Sequence, residues 1–350
     1  MATTQSLAPA DIRGARTDFP KLRDRDLAEK IGVSEAQLLA AFTGTDVTRI
    51  AAHPDVLMPA IETLGEVMAL TRTASCVHEK VGRYANYHSG DHAAMVLTED
   101  IDLRIFPSHW QHAFLVERDS DAGVRRSLQV FDAAGDAVHK VHLREGSDIA
   151  AFAAIRDGLA IDDQSQTLEV APRKPVEAPR SDASKLDILR KEWTRMTDTH
   201  QFLRLVSKLK MNRLGAYRIA GAPHVRPLAP TAADAMLQAV REAGIEVMIF
   251  VGNLGCIQIH TGPIETLKSM GPWQNVMDPR FNLHLRLDHV AEVWAVEKPT
   301  QRGPAVSVEA FDADGGLTFQ VFGVGKEGRD SRPAWRAIVE TLQTAETEAV

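Results

Sequence analysis

The chain has 350 residues, 44% of them apolar and 25% charged, with 40 lysines and arginines against 47 aspartates and glutamates and a formal net charge of -7. That length exceeds what one hydrophobic core usually holds and points to two domains; the apolar share excludes wholesale disorder, and the acidic balance speaks against a general nucleic-acid binder. Cys76 and Cys256 lie far apart, which leaves no disulfide framework or zinc ribbon, and neither a signal peptide nor a run of about 18 apolar residues is present, so the expectation is a cytoplasmic chain without membrane insertion.

In chain order, helical periodicity covers residues 26–42 and 51–71. Strands are read at 93–97, 103–106 and 127–131, a hairpin turn at 133–135 where Gly135 supplies a positive φ, and a closing helix at 148–158. Residues 162–184, rich in Pro, Ser and charge, read as a solvated linker. Beyond it the order returns: helical periodicity at 185–220 and 232–243, strands at 246–251, 305–311 and 317–322, a hairpin turn at 313–316 and a final helix at 332–344. The turn 251–256 has two glycines but no phosphate-binding spacing.

The two halves match each other. Ile101-Asp-Leu-Arg-Ile-Phe106, Ala113-Phe-Leu-Val-Glu117 and Phe131-Asp-Ala-Ala-Gly135 find Phe281-Asn-Leu-His-Leu-Arg286, Val293-Trp-Ala-Val-Glu297 and Phe311-Asp-Ala-Asp-Gly315, all 180 positions on. Upstream, Val81-Gly82 and Tyr87-His-Ser-Gly90 are set against Val251-Gly252 and Ile259-His-Thr-Gly262 at 170 and 172; downstream, Phe152-Ala-Ala-Ile155 meets Trp335-Arg-Ala-Ile338 at 183. An ordered series of this length signals a duplicated domain rather than a short solenoid repeat. The fold class is α+β, a tandem duplication with helices grouped apart from antiparallel strands: an N-terminal repeat at 1–161, a linker at 162–184 and a C-terminal repeat at 185–350.

Among the chemistry-bearing residues, the pairs His109/His112 and His139/His142 lack further ligands at recognisable spacing and are assigned no metal. His200 differs. In Met196-Thr-Asp-Thr-His-Gln-Phe202 the spacing predicts a helix with Asp198 as N-cap and Gln201 completing a capping box, and with Phe202, Val206 and Leu209 buried. His200 then falls in the first turn, where the helix dipole favours the uncharged ring with a lone pair for a metal; the other reading is a surface histidine at a helix end. Arg213, at the end of the following turns, suits either an anionic partner or solvated helix charge. Arg104 interrupts an apolar strand and points away from Leu103 and Ile105, on a face read as half-solvated.

Met196-Thr-Asp-Thr-His-Gln-Phe202, Ile101-Asp-Leu-Arg-Ile-Phe-Pro107, Gly255-Cys-Ile-Gln-Ile-His-Thr-Gly-Pro263, Asn282-Leu-His-Leu-Arg286 with Glu292-Val-Trp294, and Phe311-Asp-Ala-Asp-Gly315 together resemble the HemS-type family of bacterial cytoplasmic haem-handling proteins, the hemin-degrading factors. The resemblance implies two repeats whose large antiparallel sheets stack centrally, helices outside, haem lying between the lobes. It implies that His200 is the axial iron ligand and Arg104 the distal, catalytic group, and that Arg213, Lys298 and Gln320 surround the haem edge, the two cations suiting the propionates.

The resemblance also implies hemin as ligand or substrate and two competing functions. One is a haem oxygenase-like enzyme that opens the ring with dioxygen and an external electron donor and releases iron. The other is a carrier that takes haem from an inner-membrane ABC importer to a separate haem oxygenase. Haem-dependent regulation with DNA contact is disfavoured by the acidic balance. Leu254 stands where the family commonly has arginine, and Val324-Gly325 replaces a more basic run, so one propionate contact is expected to be missing; His78 resembles a position considered as a secondary haem ligand.

Overall fold

Alternating apolar and polar side chains are what a strand with one covered face writes into a sequence. The computed structural model describes residues 7–326 and 328–346. Its strands are antiparallel and its helices stand apart from them, an α+β architecture. The chain forms two units. Unit 1 holds the chain up to Arg72, Glu79–Lys174 and Gly252–Gln258; unit 2 holds Thr73–His78, Pro175–Val251 and the chain from Ile259 onward. Each therefore includes a short segment that lies, in sequence, inside the other repeat.

In unit 1 the strands follow the spatial order Val47–Ile50, His112–Arg118, Arg125–Phe131, Ala137–Leu143, Glu66–Arg72. In unit 2 the order is Val225–Leu228, Glu292–Lys298, Ala305–Phe311, Leu317–Gly323, Val247–Gly252. The pairing is equivalent to the residue: Val67 faces Leu143 as Val247 faces Gly323, and Leu70 faces Lys140 as Phe250 faces Gln320. The 180-residue offset thus reaches back to Val67, and Cys76 and Cys256 open equivalent strands, Cys76–Arg83 and Cys256–Gly262. The upstream matches at 170 and 172 are corrected accordingly: Val251 corresponds to Thr71, not Val81, because register follows the pleat and short Val-Gly and His-x-Gly words recur by chance.

Three helical readings also change. Residues 51–71 divide into the helix Pro54–Glu62 and the strand Glu66–Arg72, whose side chains alternate between buried and half-buried. Residues 26–42 break at Gly32, φ +74°, into Asp24–Ile31 and Glu35–Ala40, the second started by a Ser34/Gln37 capping box. Residues 185–220 form three helices, Leu186–Thr194, Gln201–Lys208 and Arg213–Ala220. Lys210 at φ +60° ends the second of these, and the Asn212 side chain starts the third by accepting the Gly215 N–H at 3.0 Å.

The polar stretch 162–184 is solvated, most of its residues being exposed, and it is also tied down at several points. Arg49 pairs with Asp163 at 2.7 Å, the Leu168 carbonyl accepts from Gln37 Nε2 at 3.2 Å and Ala171 N–H reaches the Ala133 carbonyl at 2.7 Å. After the unit boundary at Lys174/Pro175, the Arg180 N–H donates to Asn212 Oδ1 at 2.9 Å. Its backbone needs are met by side chains, which a composition-based reading does not register. Among the described residues no helix is long and apolar enough to cross a membrane.

Candidate functional site

His200 immediately precedes the second of three short helices of unit 2 that pack on one another. Trp193, Phe202 and Tyr217, one from each, are essentially unexposed, with ring centroids 4.5 Å apart for Trp193 and Phe202 and 5.5 Å for Phe202 and Tyr217. The Trp193 indole N–H is fixed on the Glu297 carbonyl at 2.9 Å. Phe202, Val206 and Leu209 are buried as the periodicity predicts. That anchored helix begins at Gln201, so the expected cap is corrected: His200 itself is the boundary residue.

The reason is a tight turn at 198–200, closed by Gln201 N–H to Asp198 O and Phe202 N–H to Thr199 O, both 3.2 Å. Gln201 turns its side chain to the Thr197 N–H at 3.0 Å instead of completing a box with Asp198. Asp198 Oδ1 is left for His200, accepting its backbone N–H and its Nδ1, each at 2.7 Å. These two bonds, first the backbone one, hold the Asp198 carboxyl below its ordinary value. With Nδ1 engaged and the side chain 92% exposed, Nε2 is the ring nitrogen presented outward. A carboxylate behind a histidine in this way fixes the tautomer and raises the basicity of the other nitrogen toward a metal.

A second set of the expected residues also converges in unit 2. Glu309 is fully buried; Lys298 Nζ lies 2.8 Å from its Oε1 and Arg213 Nη1 2.8 Å from its Oε2. Tyr217 OH donates to Glu309 Oε2 at 2.9 Å and accepts from Lys298 Nζ at 3.0 Å. Burial works against the Glu309 charge, yet Lys298 and then Arg213 hold its pKa far below the carboxylate range. Burial lowers the pKa of Lys298, with Glu309 opposing, and Glu309 overcomes burial to raise that of Arg213. Lys298 lies 5.0 Å from the centroid of the Phe202 ring, so this cluster and the helix of His200 share a core.

Gln320 faces Glu309 on one side and Phe250 on the other in the strand register. Phe250 and Phe322, half-buried, meet edge to face at 5.3 Å. An apolar aromatic pair thus stands beside Gln320 on the sheet. Sequence reading missed Glu309, Tyr217, Phe250 and Phe322. The available signal was Glu309 itself, a carboxylate in the otherwise apolar Val308-Glu-Ala-Phe311, which demands a buried cation.

Arg104 lies in unit 1, on the strand Asp102–Ile105, with Leu103 and Ile105 at 0% exposure and its own side chain at 34%. It is paired with Asp102 and donates through Nη1 to the Leu103 carbonyl at 3.1 Å. Among the departures from the family pattern, Leu254 is exposed at a turn and Val324 is wholly buried. His78 is also wholly buried, its ring 5.0 Å from that of Phe281.

A family profile described as the haemin-degrading HemS.ChuX domain matches residues 32–159 and again 210–342. The chain is 38% identical over 331 residues to the hemin transport protein HmuS of Yersinia pestis, covering 94% of this chain and 95% of that one. Among solved structures it is similar to holo-PhuS, a heme-binding protein from Pseudomonas aeruginosa, with a TM-score of 0.91 and 39% identity over 97% of this chain and 100% of that one. It is also similar to ChuS, an E. coli heme oxygenase, with a TM-score of 0.84 and 32% identity over 94% and 99% of the two chains.

Proposed function

The chain belongs to the haemin-degrading HemS.ChuX domain family, and from that premise we propose that it binds hemin in the cytoplasm through His200 and degrades it to release iron. The observation that carries the reading is the His200 ring: anchored through Asp198 at Nδ1, highly exposed, with Nε2 directed outward. Arg213, Lys298 and Gln320 are the proposed polar edge for the propionates, and Phe250 with Phe322 the apolar wall. Arg104 remains the proposed distal, catalytic group, its guanidinium offering donors beyond the Nη1 used for Asp102 and Leu103. Hemin supplies the iron at which dioxygen and an external electron donor react. The chain's residues hold and orient the ligand.

A carrier that passes haem on intact, from an importer to a separate oxygenase, is the second reading, supported by 38% identity to a hemin transport protein. A visible-absorption titration with hemin, followed by ascorbate in air with catalase present, separates the two. Saturable binding and a Soret band that decays to a tetrapyrrole product support degradation; a stable Soret band supports carriage. Absence of saturable binding overturns both.

A further inference from the structure

Glu309 is complete before any ligand arrives. Its Oε1 accepts from Lys298 Nζ at 2.8 Å and Ser307 Oγ at 2.9 Å; its Oε2 accepts from Arg213 Nη1 at 2.8 Å and Tyr217 OH at 2.9 Å. Four bonds fill the ordinary capacity of a carboxylate. Two cations nevertheless face this one anion, leaving one surplus positive charge. Lys298 and Glu309 are almost sealed, at 4% and 0% side-chain exposure, whereas Arg213 reaches solvent at 22%. The surplus is therefore offered outward through the Arg213 guanidinium, which still has N–H donors beyond Nη1.

We propose that Glu309 is a positioning residue for a ligand carboxylate: it locks Arg213, from a helix, and Lys298, from a strand end, into one preformed cradle with a single net positive charge. The inference rests on the hemin reading above, where that carboxylate is a propionate. Glu309 does not touch the ligand. It keeps two like charges together in a buried place where they otherwise repel, and Tyr217 completes the brace by bridging Lys298 and Glu309. In Glu309→Gln an amide NH2 stands where a carboxylate oxygen accepted, so it opposes a donor, and Lys298 loses its only counter-charge among the groups packed on it, namely Glu309, Arg213, Tyr217 and Phe202.

The test uses the full chain and two ligands, hemin and hemin dimethyl ester, whose propionates carry no charge. For Glu309→Gln the expected result is a roughly tenfold loss of hemin affinity, with ester affinity unchanged. Tyr217→Phe keeps every charge and gives a smaller loss in the same direction, so the inference stays testable if the first variant folds poorly. Equal weakening of both ligands, unchanged binding of both, or tighter hemin binding in Glu309→Gln overturns it. A wild-type protein that fails to bind hemin saturably overturns the underlying reading too; a wild type that binds, with a variant that behaves like it, overturns this inference alone.

Discussion

Asp198 Oδ1 accepts both the main-chain N–H and the ring Nδ1 of His200, each at 2.7 Å, so one carboxylate fixes the position and the tautomer of that imidazole. His200→Ala is expected to abolish the normal hemin spectrum. Asp198→Ala keeps the ring but frees it, with an expected loss of about 10–100-fold in hemin affinity, the range found when the group behind a metal-bound histidine is removed. Visible titration of both variants checks this; an unchanged spectrum for His200→Ala would remove the residue from the site.

Arg104→Ala is expected to bind hemin nearly as the wild type does, with turnover or release altered. Its ion pair with Asp102 is a third exposed and worth at most about 1 kcal/mol, so the melting temperature should barely move. Single-turnover decay of the Soret band and a thermal melt on the same sample separate a role in chemistry from one in stability.

Of the proposed ligand set, His200, Arg213, Lys298 and Gln320 lie in unit 2 and Arg104 alone in unit 1. The helices Glu35–Ala40 and Arg213–Ala220 are equivalent: each follows a capped residue, Ser34 or Asn212, and packs against a hairpin glycine, Gly135 or Gly315. Glu35 therefore stands in unit 1 where Arg213 stands in unit 2. The same alignment, which sets Gly32 against Lys210, puts Leu22 in the place of His200. One hemin per chain is the expected stoichiometry, and a second equivalent in a titration should produce only the spectrum of free hemin.

Acid should destabilise the protein well before its carboxylates titrate. His139 is buried between Thr71 Oγ1 at 2.8 Å and Tyr84 OH at 2.5 Å, and burial, helped by His142, lowers its pKa to about 3. Because that value lies below the unfolded one near 6.5, the unfolded chain binds the proton first. The stability is fully present above about pH 6.5 and falls toward pH 3 by about 1.4 kcal/mol per unit. Glu35, lowered to about 2 by Lys140 and Arg72 against burial, adds its loss only below about pH 4.5. Urea midpoints measured from pH 7.5 to pH 5 should decline; a flat series would contradict the His139 assignment.

Cys76 and Cys256 are both wholly buried, and burial pushes their thiols up, Cys256 to about 12. Neither should react with a disulfide reagent in the native protein, and both should react at once in denaturant. Reaction of either thiol without unfolding would show that its strand opens locally.

The α+β class, the duplication and six strands, at 93–97, 103–106, 127–131, 246–251, 305–311 and 317–322, were legible in sequence because burial on one face of a strand leaves a period of two, and a duplicated domain repeats it; strands such as Cys76–Arg83, Ala137–Leu143 and Cys256–Gly262 were not read. Residues 66–72 were lost to a helix reading because Glu66-Val-Met-Ala-Leu-Thr-Arg72 is made largely of good helix formers, whose preference tertiary pairing overrides. His200 stood out through its helix start, but its tie to Asp198 was misassigned as a helix cap. Glu309 and Tyr217 could not be joined to Arg213 and Lys298 from sequence, since the four meet only when a strand pair and a helix separated by about ninety residues pack together.

Unit 1 includes Gly252–Gln258, far beyond the Lys174 at which its main stretch ends. On a translating ribosome the N-terminal unit therefore has most of its sequence in hand and still cannot close. Synthesis at about 5–20 residues per second imposes a wait of roughly 4–17 s before Gln258 is made. During that interval the edge that will receive the segment is unfinished, and unpaired strand edges of this kind are where nascent chains aggregate.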